Sequence, residues 1–194
     1  DAERFAFFSR AVLEMIPHIS FKPDIIHCND WQTAMVPVFL NEFYKQDPFY
    51  ANIKTVFTIH NIQYQGKYGM EVLNEVLGIP MYHTKLLEYD GCVNLMKGAI
   101  VVSDYVTTVS PNYANELEYD FFSFGLSPII KAAKYKIAGV INGIDYNYFS
   151  PEKGGDIVKK YTTRTVKSGK AANKKALQEE LGLEVRADVP LLVM

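Results

Sequence analysis

Short apolar runs alternate with longer stretches of helical periodicity along these 194 residues, and that alternation most constrains the fold. Strands separated by helices need crossover connections, which give right-handed βαβ units and a parallel sheet. Asp24-Ile25-Ile26-His27-Cys28 reads as a strand after Pro23, and Trp31–Tyr44 as a helix, with Asn29 or Asp30 where an N-cap belongs. Ile53–Ile59 is a second strand, ending at His60, and a loop with Gly66 and Gly69 follows. Helices are expected over Met70–Leu77 and Val93–Val101, and a third strand over Tyr105–Val109. Ser110-Pro111 marks a helix start, Leu126–Ala133 is another helix, and Ile137–Ile141 is a fourth strand. The fold class expected is α/β, a parallel sheet with flanking helices.

Both ends read as interrupted. The chain opens inside a helical pattern, with Phe5, Phe8, Val12, Met15 and Ile16 spaced as one buried face. It closes on Val189–Met194, which reads as a buried strand. The chain is therefore expected to be a segment of a longer protein. Between Pro151 and Lys170 basic residues outnumber Glu152 and Asp156, and Gly154-Gly155 breaks regular structure, as in a solvated connector. Ala172–Leu181 is then a helix stopped by Gly182 at the C′ position. The expected layout is an α/β domain over 1–150, a connector over 151–170 and the start of a second domain over 171–194.

Composition removes several functions. Twenty basic side chains against 22 acidic ones give a net charge of −2, which leaves no excess to hold a nucleic-acid backbone. Hydrophobic residues at 48% suit an ordinary globular domain, and no run approaches a membrane span. Cys28 and Cys92 form no disulfide framework and lack zinc-site spacing, so each reads as a small buried hydrophobe. A reducing, cytoplasmic setting is expected. G-x-G-x-x-G, Walker A and G-x-S-x-G motifs are absent, as are His and Asp pairs at metal-binding spacing.

In an open parallel sheet ligands bind beyond the carboxyl ends of the strands. Three polar clusters fall there: His27-Cys28-Asn29-Asp30-Trp31-Gln32-Thr33, His60-Asn61-Ile62-Gln63-Tyr64-Gln65-Gly66, and Asn142-Gly143-Ile144-Asp145. A carboxylate, amides and an imidazole suit sugar hydroxyls, and Trp31 and Tyr64 offer flat apolar faces. Each residue also has a plainer reading. Asp30 caps a helix, His60 completes a turn, Asn142-Gly143 is a positive-φ turn, and Trp31 and Tyr64 simply pack.

The spellings DAERFAFFSRAVLE, PDIIHCNDWQTAMVP, TVFTIHNIQYQGKY, NLMKGAIVVSDYVTTVSPNYANEL and GVINGIDYNYFSPE closely resemble bacterial glycogen synthase, and plant starch synthases look similar. The likeness runs through nearly the whole chain in the same order. It departs at the connector and at Ser127-Pro128, where many relatives carry an acidic residue in place of Ser127. The resemblance implies a GT-B glycosyltransferase of two Rossmann-like domains facing across a cleft, with this chain supplying part of the N-terminal, acceptor-side domain and the start of the nucleotide-sugar domain. It implies transfer of glucose from ADP-glucose, or UDP-glucose in some relatives, to an α-1,4-glucan, with retained configuration and no required metal or cofactor.

By the same resemblance His60 is the active-site histidine that contacts the donor glucose, and Asp30 is the cleft aspartate beside donor and acceptor. Asn61, Tyr64 and Gln65 of the sugar-side turn, and Asn142 and Gly143 of the Asn-Gly-x-Asp turn near the nucleotide, are the expected substrate-binding residues. The family's phosphate clamp is a Lys-Thr-Gly-Gly loop plus an Arg and a Lys of the second domain. None of these lies in the 194 residues, so the isolated chain is expected to be inactive. Two alternatives stay open: a GT-B enzyme with another donor or acceptor, which a donor panel separates, and a non-catalytic carbohydrate-binding module, whose flanking sequence would lack that clamp.

Overall fold

The computed structural model describes residues 1–153 and 155–193. It comprises two compact units, Asp1–Asn142 and Gly143–Met194. In chain order the first carries α1 (Ala2–Met15), β1 (Ile25–Asn29), α2 (Met35–Phe39), β2 (Lys54–Ile59), β3 (Lys67–Tyr68), α3 (Glu71–Glu75) and α4 (Thr84–Leu87). There follow β4 (Glu88–Tyr89), β5 (Cys92–Asn94), α5 (Leu95–Val102), β6 (Tyr105–Thr108), α6 (Pro111–Glu116), α7 (Asp120–Ser123), α8 (Ser127–Ala133) and β7 (Ile137–Gly139). Among the described residues no helix is long and apolar enough to cross a membrane.

The main sheet has the order β1-β2-β6-β7 with every pair parallel, the fold class expected from the strand–helix alternation. Because the order advances one way only, right-handed crossovers place their connecting helices on a single face. That face is the core. Cys28, Phe57, Ile59 and Val106 point into it and meet Met35, Phe39, Met96 and Ile130 of α2, α5 and α8 in one buried cluster. Strand alternation turns His27, Asn29, Tyr105 and Ala138 the other way, where they are exposed. A parallel sheet bare on one face is unusual, since such sheets are ordinarily covered on both.

Sequence expectation and structure part company in several places. The buried face of α1 is Ala2, Ala6, Ser9 and Leu13, continued by Ile16, while Phe8 and Met15 are exposed and Phe5 and Val12 only half-buried. Small side chains let the α1 backbone lie close to α2, and the large apolar residues are displaced outward. The expected helix over residues 31–44 is one helical run that changes pitch, 3₁₀ over Trp31–Thr33, α over α2 and π over Leu40–Tyr44.

A small antiparallel sheet of order β3-β5-β4 was not expected. Its hairpin turns at Asp90-Gly91, both left-handed (φ 53° and 72°), a combination that the Asp-Gly dipeptide encodes.

In the second unit α9 (Val166–Glu180) begins six residues before the expected Ala172 and ends as foreseen at Gly182 (φ 65°). There the N–H groups of Gly182 and Leu183 return to the carbonyls of Glu179 and Gln178, closing a Schellman cap. The expected strand at Val189–Met194 is not formed over residues 189–193, and Met194 lies outside the described residues. Among the described residues this unit holds no strand to pair with, and the Lys174 ammonium takes up the carbonyls of Ala187 and Val189 instead.

Candidate active site

β1 ends at Asn29, and the next residue breaks the strand's geometry. Asp30 has φ 58° and ψ 177°, a region nearly reserved for glycine, which costs a residue with a side chain about 1–3 kcal/mol. Its backbone N–H still bonds Thr58 O on β2 at 2.9 Å. The Thr33 hydroxyl braces the corner, accepting from the Asn29 N–H at 2.7 Å and donating to the Asn29 carbonyl at 2.8 Å. Asp30 therefore stands where a helix cap would, yet its side chain caps nothing. Its Oδ1 accepts the backbone N–H of His60 at 2.8 Å.

The second turn is thus tied directly to the first. His60 follows the last residue of β2, and its exposed ring meets Asn29 Oδ1 through Nε2 at 2.9 Å. One level below, Thr58 bridges three strands, its hydroxyl 2.6 Å from both His27 Nε2 and the Thr107 hydroxyl. Asn61 is exposed and closes its own turn by accepting the Gln63 N–H at 3.0 Å, and Tyr64 is exposed. Gln65 differs. It is buried, accepts from Asn94 Nδ2 at 2.7 Å and donates to the Phe124 carbonyl at 3.2 Å, so its amide holds the loop together.

Tyr113 is a site residue that the sequence reading missed. Ser110 caps the start of α6, accepting the Tyr113 N–H, and so sets Tyr113 at the carboxyl end of β6. From there the phenol oxygen accepts the Ile62 N–H at 3.3 Å. Burial pushes its pKa up; the Ile62 hydrogen bond lowers it, and the nearby Asp30 charge raises it further. The cue was present in Ser110-Pro111, which placed a first-turn side chain at this rim.

The third expected cluster does not join the other two through hydrogen bonds. Asn142 follows the edge strand β7 and is exposed, and among the described residues it bonds neither Asp30 nor His60. Neither Asn142 nor Gly143 has a positive φ, so the turn reading of that dipeptide also fails. Gly143 opens the second unit.

Beside the second turn lies an open cleft of about 570 Å³, lined by Trp31, Gln63, Tyr64, Lys67, Tyr68 and Phe124 among others. Gly66 (φ 65°) makes room for Trp31, whose ring would lie 2.7 Å from a Cβ at that position. Trp31 and Phe5 also pack as a T-shaped pair with ring centroids 5.0 Å apart, so part of the indole is engaged in packing. Cys28 is buried, and burial pushes its thiol up to about 12, which removes it as a nucleophile at neutral pH. Among the described residues no three His, Cys, Asp or Glu side chains gather as a metal site.

A one-way parallel sheet with a carboxylate, an imidazole and an aromatic cleft at its carboxyl rim defines a Rossmann-like domain, a class whose ligand sites lie at that rim. Comparison with known proteins narrows the class. The chain belongs to the starch synthase catalytic domain family, whose pattern it matches over residues 1–132. It is 49% identical to a glycogen synthase of Exiguobacterium sibiricum, over 98% of this chain and 40% of that protein. It is 47% identical to one of Alkaliphilus metalliredigens, over 100% of this chain and 41% of that protein. Among solved structures, the catalytic domain of starch synthase IV from Arabidopsis thaliana, bound to ADP and acarbose, superposes with a TM-score of 0.79 at 33% identity. That match covers 97% of this chain and 38% of the plant chain. The fold is therefore that of part of a GT-B catalytic domain, and the chain spans about 40% of the length of the curated relatives it matches.

Proposed function

We propose that the chain is part of a retaining glucosyltransferase that extends an α-1,4-glucan from ADP-glucose. The first unit contributes the acceptor-side domain. The residues between that unit and α9 act as the connector, and α9 (Val166–Glu180) begins the nucleotide-sugar domain. Cytoplasmic residence belongs to the same reading and draws on two free cysteines.

The observation that carries the reading is the pair of hydrogen bonds between Asp30 and the His60 backbone N–H and between Asn29 and its ring, which hold a carboxylate and an imidazole at one rim of a family-matched sheet. Glucosyl transfer develops positive charge on the sugar and negative charge on the departing diphosphate. Asp30 keeps its Oδ2 free among the described residues to face the first. His60, Asn61 and Tyr64 offer a ring nitrogen, an amide and an exposed aromatic face for sugar hydroxyls and the pyranose ring. Asn142 and Gly143 serve the nucleotide side. Gln65 supports the loop from beneath. Stabilising the diphosphate is the larger electrostatic demand, and by family resemblance it falls to basic groups outside these residues.

The test is glucose transfer from ADP-glucose to glycogen. In the full-length enzyme His60→Ala lowers kcat roughly 100-fold, as loss of an orienting group does, with the fold unchanged by circular dichroism. The isolated 194-residue chain shows no turnover. Near-normal kcat in His60→Ala and Asp30→Ala overturns the assignment, and turnover with another sugar nucleotide alone redirects it to a different donor.

A further inference from the structure

We propose that Asn29 is a positioning residue that fixes the His60 imidazole as its Nε2–H tautomer, leaving Nδ1 as the acceptor for a substrate hydroxyl. The identity of that hydroxyl rests on the sugar-transfer reading; the ring assignment does not.

The assignment follows from the donor and acceptor inventory. The amide oxygen of Asn29 lies 2.9 Å from Nε2 and accepts only, so the ring nitrogen facing it carries the hydrogen. In a neutral imidazole the other nitrogen is then an acceptor. Among the described residues Nδ1 has no partner, and the ring is exposed. Without a brace, an exposed ring at a strand end samples several rotamers and both tautomers. Its hydrogen-bonding pattern toward a ligand would then be undefined.

The backbone shows how the brace is built. Consecutive strand residues point to opposite faces, so Asn29 and Asp30 do not ordinarily reach the same neighbour. The left-handed φ at Asp30 breaks that alternation and brings both side chains onto His60. Asp30 holds the backbone N–H at 2.8 Å while Asn29 holds the ring. The Thr33 hydroxyl occupies the Asn29 backbone N–H and carbonyl, which fixes the stem of the amide. Among the described residues, the ring of His60 is the one hydrogen-bond partner of the Asn29 side-chain amide. Asn29 caps no helix and is exposed, so neither capping nor core packing accounts for its placement.

Long-range proton–nitrogen spectra of the ¹⁵N-labelled 194-residue chain read the tautomer of each of its four histidines without any turnover. His60→Gln identifies the signal by subtraction. The wild type is expected to show one tautomer at His60, with Nε2 protonated. Asn29→Leu, close in shape but without the acceptor, is expected to move the two ring-nitrogen shifts toward each other as the tautomers mix. Asn29→Asp keeps an oxygen in place and keeps the Nε2–H form. The other three histidine signals report that the fold is intact, and Asn29→Ser substitutes for Asn29→Leu should the latter not fold. In the full-length enzyme Asn29→Leu lowers kcat about tenfold, the scale of one lost hydrogen bond, and Asn29→Asp restores most of it. An Nδ1–H ring in the wild type, or an unchanged spectrum in Asn29→Leu, overturns the proposal. An Nε2–H ring in an enzyme whose turnover ignores His60→Ala keeps the ring assignment and overturns the sugar-transfer reading instead.

Discussion

Asp30 holds a backbone conformation that costs about 1–3 kcal/mol, and glycine at that position would remove most of the strain. Asp30→Gly also loses the hydrogen bond to His60 and adds glycine's backbone entropy, so the effects oppose one another. The expected outcome is a stability within about 1 kcal/mol of wild type by denaturant titration, together with a kcat in the full-length enzyme reduced as strongly as in His60→Ala. A residue retained for the fold would show the reverse. The two cysteines give a second residue-scale contrast. Cys28 is 2% exposed with its thiol held up near 12, whereas Cys92 is half-buried beside the hairpin turn of the small sheet. An aromatic disulfide reagent at mildly alkaline pH is expected to modify Cys92 in the native chain and to reach Cys28 only after unfolding, as peptide mass mapping would show. At this scale the sequence made Asp30 and His60 visible, because polar residues just past apolar strands fall at the carboxyl rim of the sheet. Asn29 and Tyr113 were not visible as partners of the second turn. Their roles depend on strand register and on one left-handed φ, which no local pattern encodes.

At the scale of elements, hydrophobic periodicity located the four main strands and most helices but misjudged which side of α1 is buried. Counting aromatic residues favours Phe5 and Phe8, whereas close packing on α2 selects Ala2, Ala6 and Ser9. Ala6→Leu is therefore expected to cost about 1–3 kcal/mol by overpacking, and Phe8→Ser less than about 0.5 kcal/mol, measured by denaturant titration. The Asp90-Gly91 hairpin was legible in principle, but Cys92-Val93-Asn94 runs straight into α5 and was absorbed into its apolar pattern. Apolar content at 189–193 suggested a strand that only a neighbouring strand could have made. Side-chain ties between elements also carry a pH signature. Burial pushes the Asp104 carboxyl up, but hydrogen bonds from the Thr55 N–H (2.9 Å), the Lys54 ammonium (3.0 Å) and the Thr55 hydroxyl (3.2 Å) outweigh it and hold it below its ordinary 3.8. A carboxylate lowered by folding stabilises fully above 3.8 and loses that contribution as pH falls through its folded value. On the other flank, burial and then the 2.5 Å hydrogen bond to Glu14 push the Tyr44 phenol up to about 12. A phenol raised by folding stabilises fully below 10 and loses that contribution as pH climbs toward 12. Asp104→Asn is expected to flatten the acid limb of the stability–pH profile, and Tyr44→Phe the alkaline limb.

Across the whole molecule, the one-way strand order has a consequence for the bare face of the sheet. Right-handed crossovers that advance in one direction cover one side, so Ile25, His27 and Tyr105 on the other side receive no connecting helix from these residues. β1 is also an edge, with Ile25 57% exposed and its outer N–H and C=O groups unpaired by any strand among the described residues. Such an edge beside an apolar surface invites pairing with another copy. Ile25→Lys is therefore expected to reduce concentration-dependent association of the 194-residue chain in sedimentation velocity, with little change in its unfolding midpoint. In the full-length enzyme, where the parallel sheet is expected to be covered on both faces as its class requires, the same lysine is buried without a partner. There it is expected to destabilise the enzyme by several kcal/mol, the scale of removing an unpaired charge from water. Opposite responses in the two contexts would identify this face as one that residues beyond the chain complete. A lysine tolerated equally in both would mean that the face stays in water in the complete enzyme, and that the sheet is finished as it stands.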